Sequence, residues 1–470
     1  MECPVAHDAY GFVIEDCVVS GSDPSTAASS IASSPQPPSL AAIKSQQQRD
    51  VRWSRFLSEV AGTVPYVQVF PTFSPRSISR FDLLVTSGLP VAFRQSVWQA
   101  CLSQRCPSLA SSCSASAYKH LTSDSSLSLI PAETMLDITK DLDRTYPGHA
   151  LFDSPAGVAS LRRVLSAFAS GQPSIGYCQS LNFIAGALLL FFDECAAYQT
   201  LSGIALNLLP PNYFDRRLTG LQVDQRVLKH LVGVLLPKVH KQFTALNFDL
   251  QIISSQWFLA LFLNQLPFES VFRIWDVIIC RGCLPPPQPS QSTIDAISPS
   301  PLSRLCGGGP SPYLFRVALS FLSHAQDEIL KASTFGECFR AVQACAKDKG
   351  RRDTPDKIIA DADAVKLKPF GGLLGGEDRL DGEVRRLREM YTKKVEEEYC
   401  ARRMGRESAE TDDDDDHEDG DADDEDDEDD DGNNNNNVGS GGERGYGYEG
   451  KQNVRTEDED WVLAEGDSKL

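Results

Sequence analysis

Apolar residues along most of this chain recur at steps of three and four, which is the spacing of one face of an α-helix. Three segments show the pattern best: Val158, Leu161, Val164, Leu165 and Phe168; Val271, Ile274, Trp275 and Ile278; and Leu314, Val317, Ala318, Phe321 and Leu322. Convincing alternation of apolar and polar residues, the mark of a half-buried strand, is missing. The pattern therefore predicts an all-α fold, with Trp98, Trp257 and Trp275 in its core.

The segment from Pro131 to Arg144 shows the same helical spacing. Its apolar positions are Met135, Ile138 and Leu142. We expect a helix with the proline in its first turn, stopped by Tyr146-Pro147, because the residue before a proline is pushed out of the helical region. Arg144 would then project from a helix end. Asp141 lies three residues earlier, so its carboxylate could hold the guanidinium in one orientation.

A second polar group follows about thirty residues later, in the stretch Gly176-Tyr177-Cys178-Gln179. It comes after a loop rich in glycine and polar residues and precedes a strongly apolar run. The apolar positions of that run are Leu181, Ile184, Ala185, Leu188 and Phe191. We expect Gln179 to open this helix and to point outward from its first turn, while the rest of the helix is buried.

An arginine and a glutamine are the two side chains that a GTPase needs for rapid GTP hydrolysis. The arginine neutralises charge on the transferred phosphoryl group, and the glutamine orients the attacking water. The sequence contains no G-x-x-x-x-G-K-[S/T] phosphate loop of its own. Alone, an Asp-x-x-Arg pair on a helix is usually a solvated salt bridge. Only the combination and its order suggest that this chain supplies both side chains to another protein's nucleotide.

Here the residues resemble a known family. Ile138-x-x-Asp141-x-x-Arg144-Thr145 and Tyr177-x-Gln179 resemble the two signature motifs of the TBC domain, the Rab GTPase-activating module. Other blocks follow in the family's order: Gly88-Leu-Pro90, Arg94, Val97-Trp98, Trp257-Phe258, Leu266-Pro267 and Arg273-Ile-Trp275-Asp276. Further short stretches resemble its growth hormone-regulated members: Tyr10-Gly11-Phe12, Val51-Arg-Trp53-Ser54, Asn182-Phe-Ile-Ala-Gly186 and Phe315-Arg-Val-Ala318.

The resemblance implies an all-α TBC domain that acts in trans on a Rab in its GTP form. Arg144 would reach the phosphates, and Gln179 would replace the Rab's own glutamine in positioning water. The residues expected to support them are Asp141, Tyr177, Thr145, Asn182 and Arg94. No cofactor or metal of its own is implied, since the partner GTPase binds both GTP and Mg²⁺.

Two residues depart from the family's usual pattern. Ser180 follows Gln179 where the family usually has glycine, and Tyr146 stands where phenylalanine is common. Neither change removes a catalytic atom. We therefore expect them to affect affinity or partner choice more than mechanism.

Composition divides the chain into one domain and several polar segments. Residues 1–49 and 284–312 are rich in Ser, Pro, Ala, Gln and Gly, so we expect a low-complexity N-terminal segment and a disordered insertion. The TBC domain would span 50–350, around that insertion. Residues 376–405 have the spacing of a charged helix that is marginal by itself, and 406–470 are expected to be a disordered acidic tail.

Charge and cysteines bear on the partners and on the compartment. The net charge is −20, but residues 410–470 hold 26 acidic and 4 basic residues, so the remainder is nearly neutral. No nucleic-acid partner is expected. Thirteen cysteines without regular spacing, and no cleavable apolar signal, fit reduced thiols in the cytoplasm. The Cys280-x-x-Cys283 pair has no partner pair at zinc spacing, so structural thiols are expected.

The longest uncharged apolar run, Leu181–Phe192, is too short to cross a bilayer. We expect membrane contact only indirectly, through a lipidated Rab that recruits the protein peripherally to endomembranes. The main alternative is a non-catalytic Rab-binding or scaffold protein on the same fold. The presence of both Arg144 and Gln179 favours activity. A hydrolase in its own right is disfavoured, since no G-x-S-x-G elbow occurs.

Overall fold

The computed structural model describes residues 10–11, 40–61, 75–105, 113–282, 312–366 and 379–411. Within these ranges the regular elements are helices and no strand occurs, which confirms the all-α prediction. Nearly all of the expected insertion at 284–312, and the acidic tail beyond residue 411, lie outside the described residues.

The helices of the first half are short to medium in length and follow one another closely. They are α1 Leu40–Ala61, α2 Pro75–Ser87, α3 Val91–Arg105, α4 Ala115–Leu121, α5 Asp124–Leu127, α6 Ala132–Leu142, α7 Pro155–Gly171, α8 Leu181–Leu189 and α9 Glu194–Gly203, the last continuing into a π-helical turn at Ile204–Leu208.

The helices of the second half are also mostly short to medium in length, and the last of them is the longest of the described helices. Its elements are α10 Thr219–Leu235, α11 Pro237–Ala245, α12 Gln251–Leu259, α13 Phe268–Gly282, α14 Tyr313–His324, α15 Gln326–Lys331, α16 Phe335–Arg352, α17 Pro355–Ala364 and α18 Arg379–Thr411.

The three tryptophans predicted for the core are all buried, which confirms that prediction. Trp98 lies against Trp275, with ring centroids 6.0 Å apart. The buried ring nitrogen of Trp275 donates to the Leu261 carbonyl at 3.0 Å, so a polar atom in the core is satisfied. The periodic positions predicted for α7, α13 and α14 are buried as well, except Val158, which is partly buried.

A buried ion pair joins α3 to α13 inside this core. Arg94 donates from Nε and Nη2 to the two carboxylate oxygens of Asp276, at 2.9 and 3.0 Å. The Trp98 ring nitrogen donates to the same carboxylate at 2.9 Å. Both charged side chains are almost fully buried. Removing one partner would leave a buried charge, which costs about 3–5 kcal/mol.

A helix begins before residue 50, where the sequence analysis placed the start of the domain. Residues 40–49, expected to be part of the low-complexity segment, form the first half of α1. Alanine, lysine, glutamine and arginine predominate there, and these are good helix formers even though they bury little. The helix is held by Trp53, which is buried and donates to the Gly88 carbonyl at 2.8 Å.

The charged helix expected at 376–405 corresponds to α18, whose residues up to Glu407 belong to the larger compact unit of the chain. Its apolar face is buried: Leu380, Val384, Leu387, Tyr391 and Val395. Arg388 on this helix donates to both carboxylate oxygens of the fully buried Asp224 on α10, at 2.7 and 2.8 Å. A helix that would be marginal alone is therefore stabilised by packing on the domain.

None of the helices in the described ranges is long and apolar enough to span a bilayer.

Candidate functional site

Arg144 lies in a turn just beyond α6, rather than in the helix as the sequence predicted. The helix begins at Ala132 after Pro131 and ends at Leu142. The prediction placed the end too late because the proline at 147 only sets a downstream limit. Asp143 keeps nearly helical dihedral angles, so the spacing of the expected ion pair survives. We call residues 143–149 the finger turn.

The predicted contact between Asp141 and Arg144 is present. Nη2 of Arg144 lies 2.5 Å from Oδ1 of Asp141, and the arginine side chain is 49% exposed while the aspartate is buried. The buried carboxylate therefore holds one side of the Arg144 guanidinium, while the arginine side chain as a whole stays half exposed.

The other oxygen of the same carboxylate holds the second motif. The Tyr177 hydroxyl donates to Oδ2 of Asp141 at 2.5 Å. Burial, and then the hydrogen bond to Asp141, raise the pKa of Tyr177, so its proton stays available for this bond. Because Tyr177 stands two residues before Gln179, one carboxylate restrains both motifs.

Gln179 lies in a turn before α8, not in its first helical turn as predicted. The helix begins at Leu181, and Ser180 caps it with φ of 87°, in the left-handed region. This backbone reversal separates Gln179 from the helix and leaves the glutamine exposed. It also gives a physical reason for glycine at position 180 in the family, because side chains other than glycine are strained there.

Thr145 and Asn182 form a second bridge between the finger turn and α8. The Thr145 hydroxyl donates to the Asp141 carbonyl at 2.6 Å, so its oxygen is free to accept from Nδ2 of Asn182 at 2.8 Å. Asn182 is fully buried, and its Oδ1 has no hydrogen-bond partner in the described structure. Both residues therefore act on the backbone of the turn rather than at the surface.

Tyr146 and Gly186 form a third bridge, which the sequence did not reveal. Tyr146 has φ of 51°, and its buried hydroxyl donates to the Phe183 carbonyl at 2.8 Å. A Cβ at Gly186 would lie 2.9 Å from the Tyr146 ring and 3.1 Å from the Thr145 methyl group. Only glycine lets α8 approach the finger turn this closely.

Arg94, expected as a supporting residue, is in the core and is not part of this cluster. Its hydrogen bonds are to Asp276 and to the Leu89 carbonyl. Cys178, between Tyr177 and Gln179, is not a reactive thiol, since burial raises its pKa to about 12.

The arrangement suits recognition of an anion held by another molecule. A half-exposed guanidinium can make two parallel hydrogen bonds to phosphate oxygens, and an exposed amide beside it can orient a water molecule. Across the described ranges, no group of three or more histidine, cysteine or carboxylate residues is placed to hold a metal ion.

Comparison with known proteins identifies the family of this chain. The family model described as the Rab-GTPase-TBC domain matches residues 92–330, about half of the chain. The chain belongs to this family. The match includes α6, the finger turn and α8, and so the whole cluster around Asp141.

Individual relatives match only part of this chain, at moderate sequence identity. The human protein "Small G protein signaling modulator 3" is 36% identical over 214 residues, 44% of this chain and 27% of the relative. The mouse protein "TBC1 domain family member 2B" is 29% identical over 250 residues, 53% of this chain and 23% of the relative. The chain thus spans only about a quarter of the length of these relatives. The closer resemblance to growth hormone-regulated members stays a prediction.

A solved structure shows the same fold. The crystal structure of the Chlamydomonas flagellar RabGAP TBC domain matches with a TM-score of 0.50 and 22% identity, covering 76% of this chain and 99% of that one. This likeness supports the helical TBC architecture described above.

Proposed function

We propose that this protein accelerates GTP hydrolysis by a Rab-family GTPase, with Arg144 and Gln179 supplied in trans. The observation that carries the proposal is the shared carboxylate. Asp141 is buried and holds Arg144 with one oxygen and Tyr177 with the other, while Arg144 and Gln179 themselves remain exposed. Asp141 thus orients the Arg144 guanidinium and restrains the segment that carries Gln179, and both side chains stay accessible to a partner.

In this mechanism the partner Rab binds GTP and Mg²⁺. Arg144 neutralises charge on the transferred phosphoryl group, and Gln179 orients the attacking water in place of the Rab's own glutamine. An arginine supplied in this way accelerates hydrolysis by about 10³–10⁵-fold, or about 4–7 kcal/mol of barrier. Contact with a membrane would come through the lipidated Rab, at the cytoplasmic face of endomembranes, in control of vesicle trafficking.

The test is single-turnover GTP hydrolysis by a panel of GTP-loaded Rabs, with this protein in excess. Arg144→Ala should abolish most of the acceleration on the responsive Rab without unfolding the protein, and Arg144→Lys should stay strongly impaired because an ammonium lacks the planar fork. Arg55→Ala is the matched control, since Arg55 is another exposed arginine in a salt bridge, 3.0 Å from Glu59.

The glutamine has a test of its own. A Rab whose switch glutamine is replaced should still respond to the unmodified protein, whereas Gln179→Ala should be inactive on both forms of the Rab. Binding of GTP-loaded Rab without acceleration by the unmodified protein would instead establish the non-catalytic alternative.

A further inference from the structure

Two residues near the start of the chain contact the end of the finger turn. His149, the last residue of that turn, is buried, and its Nε2 lies 2.9 Å from the Tyr10 carbonyl oxygen. The Leu151 amide donates to Nδ1 of His149 at 3.1 Å, so Nδ1 is the acceptor and Nε2 carries the hydrogen. His149 therefore donates to Tyr10, a residue 139 positions away. We call Tyr10 and Gly11 the N-terminal anchor.

The ring of Tyr10 packs into an aromatic group that also reaches the finger turn. It lies edge-on to Phe272, with centroids 5.0 Å apart, and 6.4 Å from the ring of Phe268. Phe268 in turn lies 5.1 Å from Tyr146, again edge-on. Edge-to-face pairs contribute about 0.5–1.5 kcal/mol each beyond the area they bury. The anchor thus supports Tyr146 through one intervening ring as well as His149 directly.

Arg94 connects the anchor to the core. Its guanidinium lies 5.7 Å from the centroid of the Phe272 ring against which Tyr10 packs, and two hydrogen bonds to Asp276 hold it in place. Burial raises the pKa of Tyr10 more than Arg94 lowers it, so the hydroxyl stays neutral beside the guanidinium. The residue that the sequence marked as supporting the site therefore reaches the finger turn through Tyr10.

Gly11 is the residue that permits this contact. Its φ is +89°, and a Cβ there would lie 2.9 Å from Nε2 of His149. Any other residue would be strained and would push the imidazole away from the Tyr10 carbonyl.

Local hydrogen bonds also restrain the finger turn at this end. The His149 amide donates to the Tyr146 carbonyl at 3.2 Å, the Gly148 amide donates to Oδ1 of Asp153 at 3.1 Å, and the His149 carbonyl accepts from the amides of Phe152 and Asp153 at 2.9 Å each. These bonds stay within residues 146–153, whereas the bond to Tyr10 ties the turn to a distant part of the chain. Arg144 is itself half exposed, so the position of its guanidinium depends on the backbone that carries it. A displacement of about 1 Å from the reactive geometry can cost about 100-fold in rate.

We propose that the N-terminal anchor, Tyr10 and Gly11, is a positioning segment that holds the finger turn in the conformation required for Arg144 to act on the partner's nucleotide. This inference rests on the proposed function for its kinetic consequence. Its structural part, restraint of the finger turn by the anchor, stands by itself.

The decisive variant is Gly11→Ala in the full chain, with Gly382→Ala as the matched control, because a Cβ at Gly382 meets nothing within 4 Å. On a responsive Rab, Gly11→Ala should lower kcat about 10-fold or more, while KM for the Rab changes less than about 3-fold. Tyr10→Phe should stay within about 3-fold of the unmodified kcat, since it keeps the carbonyl and most of the ring contacts.

Hydrogen exchange provides a second readout that needs no Rab. Gly11→Ala should accelerate exchange of the Thr145 and His149 amides about 10-fold, with protection in α13 and α14 unchanged. If exchange rises throughout the protein together with the fall in kcat, the anchor has only a general structural role and the proposal is wrong.

The two proposals fail differently. If no Rab responds to the unmodified protein, the proposed function is wrong, and the exchange experiment still decides whether the anchor holds the finger turn. If a Rab responds and Gly11→Ala matches Gly382→Ala in both kcat and exchange, the anchor proposal is overturned while the function stands.

Discussion

Replacing Asp141 should affect both candidate catalytic side chains at once, because its carboxylate contacts Arg144 with one oxygen and Tyr177 with the other. Asp141→Ala removes both contacts. The half-exposed ion pair with Arg144 is worth about 0.2–1 kcal/mol, and the buried, charge-assisted bond from Tyr177 about 1.5–3 kcal/mol. If most of this restraint is expressed in the transition state, the barrier rises by about 2–3 kcal/mol, and kcat falls roughly 30- to 150-fold.

Asp141→Asn separates geometry from charge. The asparagine oxygen can still accept from Arg144, and its amide can donate to the Tyr177 hydroxyl, which accepts as well as donates. We therefore expect this variant to keep the finger turn in place and its kcat to fall only about 3- to 10-fold. That decrease is the part of the effect that comes from the carboxylate charge on the two hydrogen bonds.

The assay is single-turnover GTP hydrolysis on a responsive Rab, with thermal unfolding measured on each variant. Asp137→Ala is the matched control, because Asp137 forms an i,i+3 pair with Lys140 at 3.1 Å on the same helix and both side chains are exposed. In an Arg144→Ala background, Asp141→Ala should have a smaller effect than in the unmodified protein, since part of its action passes through Arg144. Full additivity, or an Asp141→Ala variant with unchanged kcat, would refute the reasoning.

Two further variants test the surroundings of this carboxylate, and a third tests the ion pair between Arg163 on α7 and Glu194 on α9. Gly186→Ala should stabilise α8, because alanine has the higher helix propensity, yet reduce kcat about 10-fold, because the new Cβ displaces Tyr146. An unchanged kcat would show that the close approach of α8 to the finger turn is not needed. Ser180→Gly should raise the unfolding free energy by about 0.5–1 kcal/mol in urea denaturation by relieving the positive φ. Hydrogen bonds from Arg163 lower the pKa of Glu194 from 4.5 to about 2, so this stabilisation is present above about pH 4.5 and is lost as the pH falls towards 2. Glu194→Gln should therefore make stability less dependent on pH across that window.

Local spacing predicted the contacts that lie within one helical turn. The pair between Asp141 and Arg144 follows from a separation of three residues, and the structure confirms it. The bond from Tyr177 to Asp141 joins residues 36 positions apart, and its formation depends on how α6 packs against the segment before α8. No local pattern carries that information, so the sequence could only mark Tyr177 as a supporting residue.

Helix ends were the least predictable part of the site. Arg144 was expected at the end of one helix and Gln179 in the first turn of another, and both lie in turns next to those helices. The cause at Gln179 is the positive φ of Ser180, a conformation that a serine in the sequence gives no reason to expect. The packing of the N-terminal anchor could not be predicted for a related reason. The stretch Tyr10-Gly11-Phe12 was marked only by its resemblance to family members, and so short a stretch has no periodicity that reveals its contacts.

The residues of the first signature motif differ in burial, and this difference bears on the choice between an activator and a passive binder. Ile138 is in the core, Asp141 and Thr145 are buried and bond to neighbouring groups, and only Arg144 faces solvent. Binding alone could be achieved by exposed side chains without such support, because surface contacts tolerate rotamer freedom. Catalysis requires such support, because the rate falls when the arginine must first be ordered during the reaction. Three buried residues of the motif thus support one exposed arginine, which favours the catalytic interpretation. The variants Asp141→Ala and Asp141→Asn test it directly. A passive binder would show equal Rab affinity for both variants and no difference between them in GTP hydrolysis.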